Sequence, residues 1–251
     1  MQMANLRCTG LVKSFDGVRA LSDLDLNLSS GRITSIIGPN GAGKTTLINI
    51  LTGFLEPDAG KCFLEQQEIS GLSAPRIAQL GIGRTFQELR MIWRGSVLEN
   101  VILARPHQRG ETLFWALTRL GVRQEEDKNY QEAIRILRFV GLEGKANDLA
   151  DELSYGQQKL LSLACCLSME ANILLLDEPV AGIHPDMATR ILDLLKVLRD
   201  QGKLIVFIEH DISAVRAASD HVIVMDHGQV IAQGVPREVL DRSEIIEAYL
   251  G

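Results

Sequence analysis

Nine consecutive residues, GPNGAGKTT at 38–46, constrain this chain more than any other segment. The glycines Gly38, Gly41 and Gly43 let a backbone curl until several N–H groups converge on one point. ITSIIG (33–38) reads as a buried strand running into the loop, and KTTLINILTGF (44–54) as a helix ending near Gly53. A tight loop between a buried strand and a helix N-terminus cradles a phosphate chain, because the helix adds the positive end of its dipole. The G-x-x-x-x-G-K-[ST] pattern in that setting assigns Gly38, Pro39, Asn40, Gly41, Ala42, Gly43, Lys44, Thr45 and Thr46 to nucleotide binding. Lys44 is expected to reach the β- and γ-phosphates and the Thr45 hydroxyl to bind Mg²⁺, so a nucleoside triphosphate with Mg²⁺ is the expected ligand.

A second apolar strand, ILLLD, ends in Asp177 and Glu178. Ligands of open α/β sheets sit at the carboxyl ends of strands, which directs both carboxylates toward the phosphates. Asp177 suits holding Mg²⁺ through water, and Glu178 suits a general base for the attacking water. The next strand, LIVFIEH, ends in Glu209 and His210, bringing an imidazole to the same edge. His210 is read as a hydrogen-bond donor to the γ-phosphate, against the plainer reading of a structural strand-end histidine.

The organisation around these motifs is α/β. The opening stretches LRCTGLVKSF and LSDLDLNLSS read as strands and turns closed by Gly31, with a further short strand near residues 61–64. From about residue 88 to 167 the period changes to helical, through SVLENVILA, ETLFWALTRL, YQEAIRILRFVGL and GQQKLLSLACCLSM. Strand–helix alternation then returns, with the helix DMATRILDLLKVLRDQG and the strand HVIVMD before a short helical tail. A helical block inserted into an α/β chain is the simplest account. The longest apolar runs are strand-sized, short of the roughly 20 residues of a bilayer span. The opening MQMANLRCTG is read as carrying no export signal, and the short helical tail as leaving no room for a regulatory domain. A net charge of −6 without a clustered basic face argues against nucleic acid as a partner. Cys8, Cys62, Cys165 and Cys166 lack metal-ligand spacing and read as buried thiols of a reducing compartment.

At this point the chain resembles the nucleotide-binding domain of ABC transporters. Five motifs in order carry the likeness: GPNGAGKTT, RTFQ ending in Gln87, LSYGQQK (153–159), LLLDEP and the Glu209–His210 pair. The resemblance implies a P-loop NTPase fold over residues 1–251. Residues 1–87 and 168–251 form a RecA-like core with an antiparallel β subdomain, and 88–167 an inserted helical subdomain. It implies that Gln87 acts in catalysis and at the metal from the loop joining core and helical subdomain, and that Phe15 stacks on adenine. Core packing is the alternative for Phe15. Ser154 precedes a helical run and can cap it while facing an anion. The resemblance implies that Ser154, Gly156 and Gln157 meet the γ-phosphate of ATP held by a second cassette, identical or paralogous. Two ATP molecules are then clamped across a two-fold axis.

RTFQELRMIWRGSVLENV, LLLDEPVAGIHP and VIVMDHGQVIAQGVP look like the ATPases of branched-chain amino-acid importers. Urea-type importers and lipopolysaccharide-export ATPases share much of this pattern, and a non-transport ABC ATPase is a further alternative. The resemblance implies two membrane-spanning permease subunits, an extracytoplasmic solute-binding protein, and a cytoplasmic location peripheral to the inner face of the membrane. LRMIW (89–93) is read as a groove for a permease helix, with core filling by Met91, Ile92 and Trp93 as the alternative. Two departures from the family pattern stand out. Tyr155 replaces a usual glycine, and His184 stands where Asp or Asn is usual. His184 is read as keeping a hydrogen bond, or as making the interface pH-sensitive.

Overall fold

The computed structural model describes residues 4–85, 91–106, 122–242 and 245. In chain order the elements are β1 (Asn5–Phe15), β2 (Val18–Ser29), β3 (Arg32–Ile37), α1 (Lys44–Leu51), β4 (Ala59–Leu64), β5 (Gln67–Glu68), α2 (Ala74–Gln79) and β6 (Ile82–Arg84). There follow α3 (Val97–Leu103), α4 (Val122–Val140), α5 (Tyr155–Ser168), β7 (Ile173–Asp177), α6 (Pro185–Asp200), β8 (Leu204–Ile208), α7 (Ile212–Ala218), β9 (His221–Asp226), β10 (Gln229–Gly234) and α8 (Pro236–Val239). The chain divides into two compact units, Met1–Arg84 with Asn172–Gly251, and Thr85–Ala171. The expected helical block, 88–167, lies inside the second unit. The ETLFWALTRL helix, Gln87, Leu89 and Arg90 lie outside the described residues, as do all but Ile245 of residues 243–251.

The first unit holds two sheets. Its six-stranded sheet runs β10-β9-β3-β8-β7-β6, with every neighbouring pair parallel except β10 and β9. Every residue of β7 and β8 is buried, as parallel strands covered on both faces require. The register matters most for function. Ile36 of β3 pairs with Ile208 of β8, and Ile208 pairs with Asp177 of β7. The carboxyl ends of these strands are therefore level, and the residues that follow each one emerge along a single edge.

The four-stranded antiparallel sheet runs β2-β1-β4-β5. Along β2, Leu24, Leu26 and Leu28 are buried while Asp25 and Asn27 are exposed, the period-two signature of a half-buried strand. Those leucines join Leu47, Ile48 and Leu51 of α1 and Ile173 and Leu175 of β7 in one apolar cluster. Each such fully buried side chain contributes about 1.5–3 kcal/mol relative to its exposed form. Cys8 and Cys62 face each other across β1 and β4, both buried and both free thiols.

In the second unit Ser96 opens α3 with a capping box. Its Oγ accepts from the Glu99 N–H at 3.1 Å, and the Glu99 carboxylate accepts from the Ser96 N–H at 2.7 Å. Buried Asn100 accepts from the Ile92 N–H at 2.8 Å and donates to the Ile92 carbonyl at 3.1 Å. One amide thus fixes the turn carrying Ile92 and Trp93, which leave 52% and 40% of their surface exposed. These two side chains therefore do not fill the core, contrary to the plainer of the two expectations for them. The Ser168 hydroxyl at the end of α5 donates to the Val101 carbonyl at 2.6 Å, tying α5 to α3.

Candidate functional site

The loop between β3 and α1 folds as its glycines demand. A β-carbon on Gly38 would fall onto the Met225 carbonyl oxygen, and one on Gly43 onto the Ala20 carbonyl oxygen, with the Leu21 Cδ2 only 2.9 Å away. Gly43 also adopts φ +94°, a conformation nearly closed to other residues. The turn between β9 and β10 braces the loop. The Gly228 N–H donates to the Ala42 carbonyl at 3.1 Å, while the Gly228 carbonyl accepts from the Ser22 N–H at 3.0 Å. Pro39 is half-buried, Asn40 and Gly41 are exposed, and Ala42 is buried.

Lys44 opens α1 and is itself buried, its ammonium donating to the Gly38 and Pro39 carbonyls at 2.6 and 2.9 Å. Burial pulls its pKa below the usual lysine value, while the charges of Glu178 and Asp177 act in the opposite direction. A permanently placed cation, a helix N-terminus and a curled backbone together make an anion site. On the same first turn Thr45 is exposed and Thr46 half-buried. Phe15 ends β1 and is 45% exposed, with the Lys13 ammonium 5.7 Å from its ring centroid. It is not a core residue, contrary to the plainer expectation for it.

At the far end of β7 the carboxylates separate by environment. Asp177 is 6% exposed and lies 3.5 Å from the Arg84 guanidinium. Glu178 turns into a left-handed conformation, φ +48°, and its N–H donates to the Ile208 carbonyl at 3.0 Å. That turn swings its side chain toward the end of β8, where the Glu178 Oε1 lies 3.3 Å from the His210 Nε2. Left-handed backbone at a non-glycine residue stores strain and clusters at functional sites. The level strand ends thus bring Glu178 and His210 together although 32 positions separate them in sequence, from 178 to 210.

Buried Glu209 has a role that its sequence position alone did not reveal. Its Oε1 accepts from the Val180 N–H at 2.9 Å and its Oε2 from the His210 N–H at 3.3 Å. It therefore ties the turn after Glu178 to the strand end that carries His210. The signal available in sequence was a carboxylate set directly after five buried apolar residues. Arg84 is the other such residue. It closes β6 just ahead of the RTFQ glutamine and is nearly buried.

In the second unit Ser154 caps α5 as its sequence setting predicts. The Gln157 N–H approaches the Ser154 Oγ at 3.4 Å, and the Gln157 Oε1 accepts from the Ser154 N–H at 3.0 Å. Ser154 is exposed, Gly156 and Gln157 are half-buried, and Tyr155 stands 45% exposed beneath the Lys159 ammonium, 5.3 Å from its ring centroid. His184 caps α6, its Nδ1 accepting from the Asp186 N–H at 3.4 Å, with the Asp186 carboxylate 3.5 Å from the same nitrogen.

The donor set around the loop, a hydroxyl on Thr45 and a buried carboxylate on Asp177, is of the hard-oxygen kind that suits Mg²⁺. With Lys44 and the loop amides it has the chemistry to hold a nucleotide polyphosphate, and the Glu178 carboxylate lies beside His210 at the same strand edge.

Comparison with known proteins agrees with this chemistry. The family described as ABC transporter matches residues 21–181. The high-affinity branched-chain amino acid transport ATP-binding protein LivG of Escherichia coli K12 is 37% identical over 253 residues, covering 100% of this chain and 99% of that protein. The crystal structure of the ADP conformation of an ATP-binding cassette of an ABC transporter superposes with a TM-score of 0.87 at 34% identity, covering 100% of both chains. A dimeric cassette in a post-hydrolysis state, bound to ADP and Pi, gives 0.79 at 26% identity, covering 92% of this chain and 99% of that one. No described helix is long and apolar enough to cross a membrane. With the phosphate loop, the paired carboxylates and the capped LSYGQQK helix all in place, the chain belongs to the ABC transporter family, as one of its ATP-hydrolysing cassettes.

Proposed function

We propose that this cassette binds ATP with Mg²⁺ and energises the import of branched-chain or related amino acids by closing head-to-tail on a second cassette. The observation that supports the chemistry best is the single edge that collects Lys44, Asp177, Glu178 and His210. Lys44 and the backbone of residues 38–46 hold the β- and γ-phosphates, and Phe15 offers its exposed ring to adenine. Thr45 and Asp177, with Gln87, would hold Mg²⁺, which when bound neutralises charge on the phosphate oxygens. Glu178 takes the proton of the attacking water. His210, within hydrogen-bonding reach of Glu178, steadies it and donates to the γ-phosphate.

Ser154, Gly156 and Gln157 present a capped helix end to the γ-phosphate on the partner cassette, so closure completes both sites and hydrolysis releases them. The dimeric relative bound to ADP and Pi supports this clamp. The partners are a second cassette, identical or paralogous, two permease subunits at the inner face of the membrane, and an extracytoplasmic solute-binding protein. The exposed Ile92 and Trp93, on a turn held by Asn100, offer the apolar surface for a permease helix. The E. coli relative, a high-affinity branched-chain amino acid transport ATP-binding protein, supports amino acids as cargo.

Co-purification of the tagged chain from its native membranes, with mass spectrometry, tests the reading. Two permeases, a second cassette and an amino-acid-binding protein are the expected companions. Urea-transport or lipid-export components, or no membrane protein at all, would overturn the importer assignment while leaving the ATPase chemistry intact.

A further inference from the structure

Arg84 and Asp177 are 93 residues apart in sequence and meet at 3.5 Å, with side chains only 7% and 6% exposed. Strand pairing brings them there, since Arg84 lies level with Leu175 in the β6–β7 ladder, two residues short of Asp177. The guanidinium is held on other sides as well. Its Nη1 donates to the Asn49 Oδ1 at 2.6 Å and approaches the Thr52 Oγ1 at 3.3 Å, and the group lies 5.8 Å from the Phe54 ring centroid.

Asn49 sits one helical turn after Thr45 on α1, and Thr52 caps the same helix. The fork of Arg84 thus spans the two elements that carry the oxygen donors argued above to face the metal. One is α1, which starts with Lys44 and Thr45, and the other is β7, which ends in Asp177. A guanidinium suits this task because it is planar, always charged and bonds in fixed directions, unlike a lysine ammonium.

We propose that Arg84 is a positioning residue for the metal site: by engaging Asp177 Oδ2 and Asn49 together, it sets the separation of β7 from α1, and with it the place of the Asp177 carboxylate relative to Thr45. The inference rests on the reading of Asp177 as a metal-facing carboxylate. The competing account is charge neutralisation alone, in which any cation that fits would serve. Buried ion pairs are weak evidence for stability, so a purely stabilising role is a poor explanation for so constrained a fork.

The test titrates Mn²⁺ into the full chain with a non-hydrolysable ATP analogue and follows free Mn²⁺ by electron paramagnetic resonance. Affinity for the analogue in EDTA is measured alongside. Arg84→Met should weaken Mn²⁺ binding by about 10-fold or more, the loss typical of groups that orient metal ligands. Analogue affinity in EDTA should stay within about twofold of the parent value. Arg84→Lys keeps the charge but loses the fork, so it should not restore Mn²⁺ affinity, and Asn49→Ala should shift it in the same direction.

Parental Mn²⁺ affinity in Arg84→Lys would overturn the positioning role in favour of charge neutralisation. Equal losses with and without metal would reduce Arg84 to a structural residue. If Arg84→Met does not fold, Arg84→Lys and Asn49→Ala carry the decision. Asp177→Asn separates the two layers of the argument. Unchanged Mn²⁺ binding in that variant defeats the metal-site reading itself, whereas a loss there with parental Arg84 variants defeats only the inference about Arg84.

Discussion

Glu178 combines a catalytic assignment with a measurable conformational strain, so two substitutions at one position should move two observables apart. At φ +48° a side chain costs roughly 1–2 kcal/mol relative to right-handed backbone. Its contact with His210 at 3.3 Å joins groups that are 18% and 43% exposed, so solvent screening keeps that pair below about 1 kcal/mol. Glu178→Gly relieves the strain but forfeits the pair and costs roughly 0.5–1 kcal/mol of backbone entropy, for a net change between about 1 kcal/mol against the fold and about 1.5 kcal/mol in its favour. Glu178→Gln keeps the shape and should lie within about 0.5 kcal/mol of the parent. Hydrolysis should nevertheless fall by about 10²–10⁴ in both, equal to roughly 3–5 kcal/mol of barrier. Urea denaturation and phosphate release measured on the same preparations give both numbers. A Glu178→Gly protein less stable than the parent by more than about 1 kcal/mol would refute the stored strain, and parental hydrolysis in either variant would refute the base.

Gly43→Ala sets a β-carbon against the Ala20 carbonyl at φ +94°, so it should cost about 3 kcal/mol in urea denaturation and abolish nucleotide binding by calorimetry. Unaltered nucleotide affinity would mean that the loop tolerates another shape. Ser154→Ala removes a cap worth about 1 kcal/mol. It should leave ATP binding by the single chain intact while suppressing ATP-driven dimerisation on size exclusion in a Glu178→Gln background; an undiminished dimer counts against its role across the interface. Burial pushes the Cys166 thiol well above its ordinary value and that of Cys165 up to about 12. The folded chain therefore keeps protons that the unfolded chain releases above about pH 8.5, so this stability is whole below that pH and declines above it, by up to about 1.4 kcal/mol per pH unit for each thiol. The urea midpoint should fall from about pH 7 to about pH 10, and fall less steeply in Cys166→Ala; equal slopes would contradict the burial argument. Trp93→Ala should uncouple solute uptake in reconstituted vesicles while most ATP binding survives, and parallel loss of both would make Trp93 structural.

How much of this protein was legible in its sequence depends on the range of the interaction. The phosphate loop is read from consecutive residues because its function is a backbone shape, and glycines at 38, 41 and 43 dictate that shape locally. The cap at Ser154 is equally local, closing on Gln157 three positions away, and the buried strands announce themselves as unbroken apolar runs. What no local pattern encodes is which strand lies beside which and in what register. That register decides that Ile36, Ile208 and Asp177 are level, and so that Glu178 finds His210 and Arg84 finds Asp177 across 93 positions. Exposure belongs to the same class, since core packing stays open as the alternative for Phe15, Ile92 and Trp93 until the fold leaves them at the surface. Sequence alone therefore determined the loop and the cap, because each is a short-range backbone shape set by neighbouring residues. Tertiary structure decided the pairings, because they rest on side chains that only the docking of whole strands brings into contact.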